Sequence, residues 1–256
     1  MRASEQAIVD RLRAAGCVFA EDEARLLVES APDPARLDEM VAERVRGVPL
    51  EHVVGWAEFC GLRIAVGPGV FVPRHRTELL VRLAAAEIEQ HGLLVDVACG
   101  SGAIAAAVAS LVGELEIHAA DLEPAAARVA RRNLEPIGGR VYEGDLFEPL
   151  PATLRGRVDV LVANVPYVPS AAVGLLPPEA REFEPLRALD GGADGLVVLR
   201  RVAAAAPAWL RPGGTLFSEI GVGQIDRATA ALSAAGLAPQ VVVDDGLDAT
   251  VVIGRG

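Results

Sequence analysis

Apolar residues recur at helical spacing along the first stretch of the chain: Ile8, Val9 and Leu12, then Ala24, Leu26 and Leu27. Pro32 and Pro34 interrupt this pattern before a second run through Leu37, Met40, Val41 and Val45, and Gly47 with Pro49 ends it. Residues 4–46 are therefore predicted to form short amphipathic helices, a unit too small to hold a large core alone. The pattern then changes. Over residues 48–77 apolar positions alternate with Gly and Pro, and Leu62–Val66, the turn Gly67-Pro68-Gly69 and Val70–Val72 read as a β-hairpin. A helix is expected from Glu78, Leu79, Leu80 and Leu83, with Thr77 as its N-cap.

Beyond residue 92 apolar runs of strand length alternate with helical ones. Strands are predicted at Leu93–Val97, Glu116–Ala120, Arg140–Tyr142, Val158–Ala163, Thr215–Ile220, Pro239–Val243 and Thr250–Ile253. Ile104–Leu111 and Ala125–Asn133 are predicted helices between them. This alternation implies right-handed βαβ crossovers and a mainly parallel sheet in a doubly wound α/β fold. There are no internal repeats or low-complexity tracts.

Composition narrows the classes. A chain of 256 residues with a 52% hydrophobic share suits one α/β domain with a small appendage. Its first residues, MRASEQAIVDRLRAAG, lack the apolar core of a signal peptide, and no long uncharged apolar run suggests a membrane span. A soluble, cytoplasmic protein is expected. Cys17, Cys60 and Cys99 form no CxxC pair, and His52, His75, His91 and His118 are scattered, so neither a disulfide framework nor a zinc site is expected. The formal net charge is −11, and all 24 basic residues are arginine. The clusters Arg74/Arg76, Arg131/Arg132 and Arg200/Arg201 read as solvated helix ends or loops, so no stable nucleic-acid binding is expected.

The chemistry concentrates at strand ends. Leu94-Val95-Asp96-Val97-Ala98-Cys99-Gly100-Ser101-Gly102-Ala103 runs from a buried strand through a tight turn into a helix. Such glycines let a ligand approach the backbone, and the helix start offers unpaired N–H groups. About twenty residues on, Asp121 closes the next strand, where an acid can accept ribose hydroxyls. Asp145 closes the third, where it could meet an adenine amino group, with Leu146 beside it. Gly100-x-Gly102-x-x-Ala105 also fits a nicotinamide-binding fingerprint. Asp96 favours S-adenosylmethionine, because a carboxylate four residues before the first glycine can meet the cofactor's ammonium group directly or through water. Cys99 reads as a small packing residue within the turn.

The fourth strand leads into Asn164-Val165-Pro166-Tyr167. Here the chain resembles the protein-(glutamine-N5) methyltransferases that modify peptide-chain release factors, which carry Asn-Pro-Pro-Tyr at this point. The resemblance covers residues 45–256 and includes Pro49–Gly55 with Phe59–Leu62, Phe71-Val72-Pro73-Arg74 with Thr77–Leu80, Glu182–Leu189, and Ser218-Glu219-Ile220-Gly221. It implies a seven-stranded class I methyltransferase (Rossmann-like) sheet with the last strand antiparallel. It also implies transfer of a methyl group from S-adenosylmethionine to a glutamine side-chain amide of a protein partner, a release factor. Residues 1–47 would be a small helical docking domain, 48–76 a β-hairpin connector, and 77–256 the methyltransferase domain. The resemblance assigns Asn164 to hold the substrate NH₂, the Val165 carbonyl as second acceptor, Pro166 to fix the turn and Tyr167 to line the pocket. Asp96, Cys99, Gly100, Ser101, Gly102, Asp121, Asp145, Leu146 and Asn164 would hold the cofactor.

The match has departures. Val165 replaces a proline of the family motif, and His75-Arg76 replaces its Pro-Glu. The helical N-terminal part is short, Leu146 stands where some members carry an aromatic residue, and Asp245–Thr250 lacks an arginine usual before the last strand. Methylation of an exocyclic amine on nucleic acid, methylation of a small-molecule amide, and cofactor binding without turnover are the alternatives.

Overall fold

The computed structural model describes residues 5–256; Ser4, where the first helical stretch is expected to begin, lies outside them. Four helices come first: α1 (Glu5–Ala14), α2 (Ala20–Ser30), α3 (Pro34–Val45) and α4 (Leu50–Val54). The Asp33 side chain accepts the Arg36 N–H at 2.9 Å, and Pro34 occupies the first turn of α3, where its missing N–H costs nothing. The helices bury Ile8, Leu12, Leu27, Met40 and Val41 against one another in a core of their own. Arg44 binds Glu23 on α2 (2.6 Å) and Glu179 on a later helix (2.5 Å). Burial alone pushes the Arg44 guanidinium down; the two carboxylates more than offset it.

The hairpin is displaced from its expected place. Strands β1 (Trp56–Phe59) and β2 (Leu62–Ala65) pair antiparallel, with Phe59 opposite Leu62. The turn is Cys60-Gly61, both with positive φ (50° and 74°), the backbone of a two-residue type I′ loop. Gly67–Gly69 makes only a local turn, with the Val70 N–H on the Gly67 carbonyl. The next residues satisfy their backbone through side chains. The Val70 carbonyl faces His52 Nε2 (2.8 Å), and the Val72 N–H meets Glu184 (3.2 Å). Pro68 and Pro73 carry no N–H for a ladder, and a compliant left-handed pair was available upstream.

Helix α5 (Glu78–Ala86) precedes the main sheet. Thr77 does not cap it: a 3₁₀ turn at His75–Thr77 runs straight into the helix, leaving Thr77 helical and its hydroxyl free for another task. The remaining elements are β3 (Leu93–Val97), α6 (Ala103–Val112), β4 (Glu116–Asp121), α7 (Pro124–Leu134), β5 (Arg140–Glu143), β6 (Val158–Val162), α8 (Pro178–Phe183), α9 (Val197–Ala205), β7 (Leu210–Glu219), α10 (Ile225–Ala234), β8 (Ala238–Asp244) and β9 (Ala249–Arg255). Every predicted strand of the sheet is present, with β7 starting earlier than expected.

The sheet order is β5-β4-β3-β6-β7-β9-β8. β3 pairs parallel with both β4 and β6, whereas β9 runs antiparallel between β7 and β8. This is the seven-stranded class I methyltransferase arrangement. Its central strands β3 and β6 are mostly apolar because helices cover both faces, with Asp96 and Asp159 as the one carboxylate in each. The chain winds outward from β3 to β5 and then in the other direction from β6. The carboxyl ends of β3 and β6 therefore flank the switch point where such sheets hold ligands. Among the described residues no helix is long and apolar enough to cross a membrane.

Candidate active site

A cavity of about 540 Å³ opens at that switch point. Its walls include Cys99, Gly100 and Ser101 after β3, Asp121 at the end of β4, Asp145 and Leu146 after β5, and Asn164–Tyr167 after β6. Ten of the twelve expected site residues therefore come together. Gly102 and Asp96 do not line it.

The turn after β3 is left-handed at alternate residues: Ala98 (φ 56°), Gly100 (56°) and Gly102 (75°). Positive φ at Ala98 is strained for a residue with a Cβ, and strain of this kind collects at functional sites. A Cβ on Gly102 would lie 2.8 Å from Leu134 of α7, so that glycine serves packing against the helix. A Cβ on Gly100 would meet nothing within 4 Å, so its wall is open to a ligand. Asp121 ties the loop down, accepting the Gly100 N–H and the Glu123 N–H, both at 2.8 Å. Burial nevertheless raises its pKa from the ordinary value.

Asp96 lies beneath the loop rather than on the wall. It is fully buried, and neither carboxylate oxygen has a hydrogen-bond partner. Burial pushes its pKa up to about 8, and the nearby Ala105 N–H does not offset this. Asp96 is not among the residues that line the cavity. Asp145 does line the cavity, but one of its oxygens is taken by Arg201 at 2.7 Å. Leu146 sits next to it in a left-handed conformation (φ 49°). Cys99 is buried, as expected of a packing residue, and burial raises its thiol pKa well above the ordinary value.

The Asn164–Tyr167 turn is held from elements far away in sequence. Asn164 Nδ2 lies 3.4 Å from Thr77 Oγ1, which donates to Glu219 Oε2 at 2.6 Å. The Tyr167 hydroxyl donates to Glu219 Oε1 (2.5 Å) and accepts from Arg76 Nε (2.9 Å); Arg76 Nε also reaches Glu219 Oε1 (2.8 Å). Burial, followed by the Glu219 charge, raises the Tyr167 pKa. Behind the turn, Gln224 Nε2 donates to the Tyr167 carbonyl and the Gly191 N–H to the Val168 carbonyl. A Cβ on Gly191 would lie 2.5 Å from the Pro166 carbonyl, and one on Gly195 2.2 Å from that of Tyr167. Among the described residues no protein donor reaches Asn164 Oδ1 or the Val165 carbonyl. Two acceptors beside the cavity are left for a ligand.

Residues 61–175 match the methyltransferase small domain family model. A release factor glutamine methyltransferase of Geobacter sulfurreducens is 40% identical over 216 residues, covering 83% of this chain and 75% of its own. One of Mycolicibacterium smegmatis is 40% identical over 198 residues, covering 75% and 70%. The chain belongs to the release factor glutamine methyltransferase family. A solved methyltransferase of Pyrococcus furiosus shares the fold, with a TM-score of 0.56 at 16% identity over 84% of this chain and 98% of that one.

Within this methyltransferase family member, the residues present fit the expected nucleoside-bearing cofactor: an open glycine wall, an acid ending β4, and a second acid after β5. Sequence reasoning overlooked Thr77 as a site residue, and with it Arg76, Glu219, Gln224, Gly191 and Gly195. One signal was available. Glu219 closes the buried run of β7 just as Asp121 closes β4, and an acid at such a position needs donors.

Proposed function

We propose that this protein transfers a methyl group from S-adenosylmethionine to the side-chain amide nitrogen of a glutamine in a protein, a peptide-chain release factor. The observation that carries the reading is the pair of unpartnered acceptors, Asn164 Oδ1 and the Val165 carbonyl, beside the cavity wall made by the glycine loop. Family membership supports the same substrate class. The reading carries with it a soluble, cytoplasmic protein.

An amide nitrogen is a poor nucleophile because its lone pair is delocalised into the carbonyl. Two acceptors, each taking one N–H, orient the group and favour a pyramidal nitrogen whose lone pair faces the donor. Asn164 and Val165 are assigned these roles. Pro166 fixes the turn between them, and the Tyr167 ring packs along the planar amide. When bound, S-adenosylmethionine supplies an electrophilic methyl on a positively charged sulfur. Asp121 and Asp145 are assigned to its ribose and adenine; Gly100, Ser101 and the start of α6 line its amino-acid end. Asp96 would act on that end through water or the loop backbone, since it does not reach the wall. No strong base is needed beforehand, because the N–H becomes acidic once nitrogen carries positive charge.

Incubation with methyl-labelled S-adenosylmethionine and a release factor tests the reading. Label is expected on the release factor with the native enzyme and is expected to vanish with Asn164→Ala. Equal labelling by both proteins would overturn the assignment.

A further inference from the structure

The Glu219 carboxylate meets one end of the Asn164–Tyr167 turn directly, at Tyr167, and the other through Thr77, and its side chain is only 2% exposed. Three donors face it: the Thr77 hydroxyl at 2.6 Å, the Tyr167 hydroxyl at 2.5 Å and Arg76 Nε at 2.8 Å. A hydroxyl has one proton to give. Thr77 gives its proton to Glu219, so toward Asn164 it can only accept. The Asn164 amide must therefore turn its NH₂ to Thr77, as the 3.4 Å contact from Nδ2 shows, and its Oδ1 the other way. A flipped amide would set two lone pairs against each other.

From this relay we infer that Glu219, acting through Thr77, is a positioning residue that sets the polarity of Asn164 and so makes the site select a primary carboxamide over a carboxylate. The inference rests on the proposed glutamine methylation. With Oδ1 outward the site accepts hydrogen bonds, which suits an NH₂ and repels the oxygens of a glutamate side chain. With NH₂ outward the preference would reverse. Arg76 fixes which way the hub itself is read, because it and Tyr167 both direct donors at Oε1 of Glu219.

The relay makes an unusual demand of an isosteric change. In Glu219→Gln, the Arg76 and Tyr167 donors hold the new carbonyl oxygen, so the new NH₂ faces Thr77. Thr77 must then donate to Asn164, and the Asn164 amide flips.

The experiment compares native enzyme, Glu219→Gln, Thr77→Val and Thr77→Ser, each checked for a native-like thermal transition. Three properties are read: turnover on a release factor, S-adenosylmethionine affinity by calorimetry, and inhibition by peptides differing only in glutamine or glutamate at the target position. Glu219→Gln and Thr77→Val are expected to lower kcat roughly 10- to 100-fold with cofactor Kd unchanged within about twofold. Thr77→Ser is expected to restore activity to within about threefold of native. Glu219→Gln is expected to shrink or invert the preference for the glutamine peptide. Undiminished turnover in Thr77→Val, or no rescue by Ser, would overturn the inference, as would an unchanged peptide preference in Glu219→Gln. If the native enzyme methylates no glutamine, the function reading fails by itself. The inference is then decided by the Asn164 side-chain NH₂ signals in ¹⁵N spectra: a shift in Glu219→Gln supports the relay, and unchanged signals refute it.

Discussion

The two sides of the cavity are built in different ways. The wall assigned above to the cofactor is local: the glycine loop follows one strand, and Asp121, which ties it down, ends the next. The Asn164–Tyr167 wall is assembled from afar, with Thr77 from the 3₁₀ turn before α5, Glu219 from the end of β7, and Gln224 and Gly195 behind. A loop that merely cradles a ligand can be specified by a few adjacent residues. A turn that must aim an oxygen at a reacting nitrogen needs its dipoles fixed by groups with no freedom of their own.

Removing the aiming group should give the largest effect on that contrast. Asn164→Ala is expected to lower kcat by roughly 10²- to 10³-fold, the loss typical of a single preorganised group, while calorimetry shows cofactor affinity little changed. A parallel collapse of cofactor binding would show that the two walls are not separable.

Next comes the packing behind the turn. Gly195 has φ +78°, and a Cβ there would lie 2.2 Å from the Tyr167 carbonyl and 2.3 Å from Gln224 Nε2. Gly195→Ala is expected to destabilise the fold by about 2–4 kcal/mol in urea titration and to lower turnover as well. The matching change at Gly100 has open space and only backbone strain, so its cost should be nearer 1 kcal/mol. Equal costs at the two sites would remove the distinction between them.

Asp96 gives the cofactor side a pH signature. Its pKa is raised by burial to about 8 in the folded protein, from an ordinary value of 3.8 when unfolded. The folded state thus binds the extra proton, and its stability declines as pH rises between those values, with the loss complete above about 8. Between about pH 5.5 and pH 8 this amounts to roughly 3 kcal/mol as an upper figure. Asp96→Asn should abolish that slope, so the variant gains on native protein as pH increases. A constant difference in melting temperature across this range would contradict it.

The smallest effect is expected at Arg201, whose ion pair with Asp145 is half exposed. Arg201→Ala should change stability by less than about 0.5 kcal/mol. It should alter cofactor affinity only a few-fold, by freeing the Asp145 oxygen at the cavity.

The contrast also explains what could be read along the chain. The sheet was legible because most of its strands are largely apolar runs, and the ligand-facing ends because Gly100, Asp121, Asp145 and Asn164 each fall at or within three residues of a strand's end. The hairpin was misplaced because Gly67-Pro68-Gly69 is the stronger turn by composition, while Cys60 takes a left-handed φ that its residue type does not announce. Thr77 read as a cap because a threonine before a helix usually is one; only the fold brings it to Glu219, 142 positions away. Asp96 lies fully buried on β3, a depth that spacing along a strand does not announce.

The most direct test of the account is tandem mass spectrometry of a release factor after incubation with this protein and S-adenosylmethionine. The expected result is a gain of one methylene mass confined to a single glutamine side chain and absent with Asn164→Ala. A methyl group found on a lysine, an arginine or a nucleic-acid base instead, or on the same glutamine without Asn164, would contradict it.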